Sequence, residues 1–157
     1  MSKMHLQWGD VEWACQHIVE QLKGEKFDMI VPIVRGGMIP AVIISELLGL
    51  KRVHPVKIQL RDGVDGLNDI GEWVGMVEKP LNILVVDDIM DSGATIDVMQ
   101  EAFVLRSKES RSSCKFVAML SNDDAKPKYF QPSAITRGIT IQKDSDPDLW
   151  VVFPWDK

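Results

Sequence analysis

Ile83-Leu-Val-Val-Asp-Asp-Ile-Met-Asp-Ser-Gly-Ala-Thr95 is the stretch that decides the architecture of this chain. Its four leading apolar residues, Ile83 to Val86, run continuously rather than alternating, the pattern of a strand buried on both faces of a parallel sheet. The expected strand is 81–86, with Asp87 and Asp88 following at its C-terminal edge. A third carboxylate, Asp91, opens the small-residue turn Ser92-Gly93-Ala94-Thr95, which leads into a helix expected over 92–106. In open parallel sheets, ligands bind beyond the carboxyl ends of the strands. Small residues there let backbone amides approach an anion at a helix N-terminus, where the helix dipole favours negative charge. The hydroxyls of Ser92 and Thr95 add donors, and ionised Asp87 and Asp88 accept hydrogen bonds from the two hydroxyls of a ribose. The same acids hold Mg²⁺, directly or through water. Capping the helix needs only Asp91, and two further acids crowded beside it would repel one another, so the cluster marks a site. Neither a Gly-Lys-Ser/Thr ending nor GxGxxG is present, which favours a monophosphate over the triphosphate of a P-loop.

Outward from this run, strands and helices alternate. Asp10 is the expected N-cap of a helix carrying Val11, Ala14, Cys15, Ile18, Val19 and Leu22 at helical spacing and closed by Gly24. Phe27 to Val34 is an apolar strand with Pro32 as its one irregularity. Arg35-Gly36-Gly37 turns the chain into a helix over 38–48 that Gly49 stops. Further strands are expected over 53–60 and 115–120, with short ones in the tail around Ile135 and Ile139 to Ile141. This order predicts an α/β fold, a mainly parallel central sheet flanked by helices, in one domain over 1–157. The segment Arg61 to Val77, with Gly63, Gly66, Gly71 and Gly75 and no clean period, is either a functional loop or a surface hairpin.

Composition narrows the function classes. A net charge of −5 with no basic stripe argues against nucleic acid as the main partner. No apolar run approaches the ~20 residues of a membrane span. Met1 to Trp8 lacks the apolar core of a signal peptide, so a cytoplasmic location is expected. Cys15 and Cys114 stand far apart as reduced core thiols, and His5, His17 and His54 form no zinc-binding spacing.

The run from Ile83 to Thr95 resembles the binding motif of the type I phosphoribosyltransferases, with their hydrophobic strand, acidic pair, third Asp and Ser/Thr-Gly-x-Thr phosphate turn. Val31 to Pro40 resembles that family's pyrophosphate loop. Trp150-Val-Val-Phe-Pro-Trp-Asp156 resembles the base-recognition end of the small bacterial xanthine-guanine (6-oxopurine) enzymes. The resemblance implies phosphoribosyl pyrophosphate and a purine base as substrates, Mg²⁺ as cofactor, and a homo-oligomer, dimer or tetramer. It implies that Arg35 and the amides of Gly36 and Gly37 bind pyrophosphate; the peptide before this Arg is often cis in the family, which leaves Val34–Arg35 either cis or trans. Asp87 and Asp88 would hold the ribose hydroxyls and metal, Asp91 would be the acid/base at the purine, and Ser92, Gly93, Ala94 and Thr95 would hold the 5′-phosphate. Trp150 would stack on the base, the Val151 backbone would read its edge, and Asp156 would reach a second metal. The segment 61–77 becomes a lid that excludes water, and 121–157 a base-recognition region.

Two departures concern the acceptor base. Relatives carry a Lys after the strand matching 115–120, where it hydrogen-bonds the purine 6-oxo group. Here Ser121-Asn122-Asp123-Asp124 follows, leaving either Lys126 or Asn122 in that place. The Ser-Tyr pair usual in the lid is absent, with Gln59-Leu60 standing roughly there. A nucleotide-sensing regulator of the same fold is the alternative, which the acidic charge and the retained Asp91 disfavour. A transferase for another nitrogen base rests on Asn122 alone.

Overall fold

The computed structural model describes residues 1–58, 79–110, 112–128, 135–143 and 146–156, with 104–110 in their backbone only. The expected lid over 61–77 and Gln59-Leu60 lie outside the described residues. Among the described residues, five parallel strands form the central sheet in the order β3-β2-β4-β5-β6. They are β2 (Met29–Val34), β3 (Val56–Lys57), β4 (Asn82–Met90), β5 (Ser113–Asn122) and β6 (Thr136–Ile141). Helices α1 (Trp8–Gln21) and α2 (Met38–Leu48) cover one face, and α3 (Ala94–Ser110) covers the other.

Alternation along the strands divides the core. Ile30 of β2 and Leu84 and Val86 of β4 pack with Val11, Ala14, Ile18 and Ile44 of α1 and α2. Their neighbours Met29, Val31, Ile33, Ile83 and Val85 pack with Ile96, Met99 and Phe103 of α3. Side chains on a strand point alternately to its two faces, so the continuous apolar runs are explained by helices on both sides. Gly138 of β6 lets α1 approach closely, because a Cβ there would stand 2.9 Å from the Ala14 Cβ and 2.5 Å from the Met119 carbonyl oxygen.

The element boundaries correct several expectations. Asp10 does not cap α1; it sits in the first turn, where its carboxylate accepts the Gln7 backbone N–H at 2.7 Å. The strand expected to stop at Val86 runs on to Met90, because Asp87, Ile89 and Met90 still pair with Ala118, Leu120 and Ser121 of β5. Backbone pairing is indifferent to the polarity of the side chains it carries. α3 begins at Ala94 rather than Ser92, since Gly93 has φ +93°, outside the right-handed helical region. β5 likewise extends through Ser121 and Asn122. Within the described part of the third strand expected over 53–60, residues 53–58 hold Val56–Lys57 and a single bridge from Val53 to Ile30. Ile30 directs its peptide groups to Arg52 and His54 on that side, so by alternation Pro32 faces the same way, and its missing N–H interrupts the ladder there.

A second, two-stranded sheet was not foreseen. β1 (Lys3–His5) pairs in parallel with β7 (Trp150–Val152), tying the N-terminal segment to the expected base-recognition end. Two three-residue strands carry too little periodicity to be recognised before their partners are known. Among the described residues, no helix is long and apolar enough to cross a membrane.

Candidate active site

The carboxyl ends of β2 and β4 meet beneath the start of α2. Because alternation continues through the acidic pair, Asp87 points to the α3 face and Asp88 to the α2 face. Asp88 shares a cleft of about 970 Å³ with Arg35, Gly36, Met38, Ile39, Trp150, Trp155 and Asp156. Asp87 lies in a neighbouring cleft of about 290 Å³ with Asp91 and the turn Ser92 to Thr95. One pair of adjacent residues therefore serves two compartments.

In the larger cleft the Val34–Arg35 peptide is cis, and the Arg35 side chain is exposed. A Cβ on Gly36 would fall against the Asp88 carboxylate, so that carboxylate lies directly against the loop backbone. Gly37 departs from the expected role. Its N–H donates to the Ile33 carbonyl at 2.9 Å and is not available to an anion. Its need is steric, since a Cβ would meet the Val86 and Ile33 carbonyl oxygens at 2.4 and 2.7 Å.

Trp150 is 59% exposed, a large aromatic face open to the cleft rather than part of the core. Trp155 instead packs on Phe153, ring centroids 4.8 Å apart, and more loosely on Trp8. Asp156 is held by a local turn in which Oδ2 accepts the Phe153 N–H at 2.9 Å. The β1 pairing orients Val151. The Trp150 N–H donates to the Ser2 carbonyl at 2.9 Å, and the Val152 carbonyl accepts from the Leu6 N–H at 3.0 Å. In a parallel ladder the intervening residue turns its own N–H and C=O away, so the peptide groups of Val151 face the side opposite β1.

Both carboxyls of the Asp87-Asp88 pair are raised. Burial, and then the charge of Asp88, push the Asp87 carboxyl well above its ordinary 3.8; Asp87 is 8% exposed. Burial also raises Asp88, with repulsion from Asp156 adding to it, against hydrogen bonds from Asp87 and from the Ile89 N–H at 2.8 Å. Among the described residues no group of three or more His, Cys, Asp or Glu encloses a metal. One or two carboxylates facing space for ligand phosphates are nevertheless the usual protein share of a Mg²⁺ site. Asp88 and Asp156, repelling across one cleft, fit that donor set.

At the α3 turn, the left-handed Gly93 lies under Pro127, which a Cβ would meet at 2.9–3.0 Å. Ser92 Oγ accepts the Ala94 N–H at 3.3 Å. The segment after β5 is anchored by the Lys128 N–H on both Asp97 oxygens, at 2.8 and 3.0 Å. Within it Lys126 is exposed. Asn122 is buried at the end of β5, and its Nδ2 lies 3.5 Å from Asp91 Oδ1. The cation on Asp91 is a residue the sequence reading missed: Lys143, just beyond β6, with Nζ 2.9 Å from the same Oδ1. Nothing local in Ile141-Gln142-Lys143 signals this, because the contact exists only once β6 lies beside β5. Both thiols are raised by burial, Cys15 to about 12, which keeps them unreactive.

Known proteins share this fold and family. Residues 4–156 match the model of the phosphoribosyl transferase domain. A xanthine-guanine phosphoribosyltransferase of Idiomarina loihiensis is 27% identical over 154 residues, covering 96% of this chain and 85% of that protein. The crystal structure of a purine phosphoribosyltransferase from Pyrococcus horikoshii superposes with a TM-score of 0.73 at 24% identity, covering 100% of this chain and 96% of that one. A xanthine-guanine-hypoxanthine phosphoribosyltransferase of Helicobacter pylori has the same fold, with a TM-score of 0.69 at 19% identity over 98% of this chain and 93% of its own.

Proposed function

The chain belongs to the phosphoribosyl transferase domain family, and from that premise we propose that it moves the 5-phosphoribosyl group of phosphoribosyl pyrophosphate onto guanine, xanthine or hypoxanthine in purine salvage, releasing pyrophosphate. The observation that carries the reading is the division of the acidic pair: Asp88 on the Arg35–Gly36 loop beside Trp150, Asp87 with Asp91 at the α3 turn. A donor with a pyrophosphate at one end, a 5′-phosphate at the other and a diol between them spans that arrangement.

In this mechanism the 5′-phosphate rests at the Ser92–Thr95 turn and the N-terminus of α3. Arg35 and the Gly36 amide hold the pyrophosphate, and Asp87 and Asp88 accept the ribose hydroxyls. The purine lies on Trp150 with its edge at the Val151 peptide groups. Its ring nitrogen bonds to the anomeric carbon as the bond from that carbon to the pyrophosphate oxygen breaks, the electron pair leaving with pyrophosphate. Asp91 takes the proton released from the purine, a general-base contribution of roughly 10²–10⁴-fold. The carboxylates also face the positive charge that develops on the ribose ring. Asp88 and Asp156 would hold Mg²⁺, which would neutralise the charge of the leaving pyrophosphate. The same reading carries a cytoplasmic location and a homo-oligomer.

The test is an assay of the purified chain with phosphoribosyl pyrophosphate, Mg²⁺ and each of the three bases, with nucleotide separated by chromatography. Mononucleotide and pyrophosphate in equal amounts are expected. Absence of nucleotide from all three bases rejects the proposal.

A further inference from the structure

Asp91 is gripped from behind. Its Oδ1 lies 2.9 Å from Lys143 Nζ and 3.5 Å from Asn122 Nδ2, and among the described residues both contacts fall on this one oxygen. The Asn122 amide is itself oriented, because its Oδ1 accepts the Asp124 N–H at 3.3 Å, which turns Nδ2 toward Asp91. The two side chains differ in exposure. The Asp91 side chain is 58% exposed and that of Lys143 only 15%. Asp91 lines the smaller cleft, whereas neither Lys143 nor Asn122 is among its described lining residues.

We propose that Lys143 and Asn122 are positioning residues that clamp Asp91 through Oδ1 and present its other oxygen to the proton of the entering purine. This rests on the reading of Asp91 as the acid/base. An exposed carboxylate on a turn otherwise samples several rotamers. Two donors on one oxygen, contributed by the ends of two neighbouring strands, select one of them. A misplacement of about 1 Å at such a group costs on the order of 10²-fold in rate. Lys143 therefore acts on the chemical step through Asp91 rather than on base binding.

Steady-state kinetics of Lys143→Met, Lys143→Arg and Asn122→Ser, alongside Asp91→Asn, test the clamp. Lys143→Met is expected to lower kcat about 10- to 100-fold while KM for the purine and for phosphoribosyl pyrophosphate stays within about threefold. Lys143→Arg, which keeps the cation, restores most of the rate, and Asn122→Ser shows the smaller loss of the weaker contact. Combined with Asp91→Asn, Lys143→Met adds little, because the group it positions is gone. A raised KM at unchanged kcat, or full additivity in the double variant, overturns the clamp. If Asp91→Asn itself keeps wild-type kcat, the acid/base reading falls instead. Thermal melting of each variant reports folding. Should Lys143→Met not fold, Lys143→Gln carries the same comparison.

Discussion

Asp87 is a buried acid beside another acid, Asp88, and the consequence is measurable. Its carboxyl is held well above 3.8 by burial first and by Asp88 second. The folded chain thus keeps this proton to higher pH than the unfolded chain does. Stability contributed by the protonated form is present at low pH and is lost as pH rises from about 3.8 through the folded value. Asparagine does not titrate, so Asp87→Asn is expected to melt higher than the wild type near neutral pH, by roughly 2–4 °C for each kcal/mol relieved. The gain should shrink to nothing as the pH falls toward 3.8, and transfer activity should be lost. Calorimetry across that pH range, where an unchanged or lower melting point at neutral pH would contradict the assignment, checks it. At this scale the grouping of the acids, Arg35 and the Ser92–Thr95 turn around two clefts was legible, because their chemistry is uncommon at strand ends. Lys143 was not, since a lysine after a strand is ordinary until a carboxylate is found 2.9 Å away. Gly37 shows the opposite error: a glycine expected to lend its amide to an anion spends that amide on Ile33.

Elements were legible in proportion to their length. The apolar spacing of α1 and α2 and the continuous runs of β2, β4 and β5 identify them, because each buries a face large enough to leave a pattern. β1 and β7 leave none, yet their pairing sets the direction of the Val151 peptide groups. In that register Met4 is the partner of Val151 and directs its own N–H to the Trp150 carbonyl. Met4→Pro removes that donor at a half-buried position while leaving the five-stranded sheet alone. The expected outcome is a rise of about tenfold in KM for the purine, equivalent to roughly 1.4 kcal/mol, with KM for phosphoribosyl pyrophosphate nearly unchanged. Separate titrations of the two substrates measure this. An equal effect on both would show that β1 supports the fold at large and not the base end.

For the whole molecule, the site is a junction: two clefts on opposite faces of one sheet, joined through neighbouring residues of β4. A ligand spanning both stabilises the folded state by mass action, about 2.7 kcal/mol at a hundredfold excess over its Kd. Phosphoribosyl pyrophosphate with Mg²⁺ is therefore expected to raise the melting temperature of the wild type, and Arg35→Ala to lose most of that shift while still melting like the wild type without ligand. A full shift in Arg35→Ala would remove pyrophosphate from that loop. What the sequence by itself determined was the α/β architecture and the grouping of the acidic pair with the turn that follows it, because a strand, the turn after it and the helix it feeds are contiguous in the chain, and their spacing survives in one dimension. What only the tertiary structure decided was the surroundings of these residues: which cation meets Asp91, which way the Val151 peptide groups face, and which aromatic stays open. Those depend on the sheet order that sets β6 beside β5 and on the separate pairing of β1 with β7, and contacts between segments remote in sequence leave no local pattern to read.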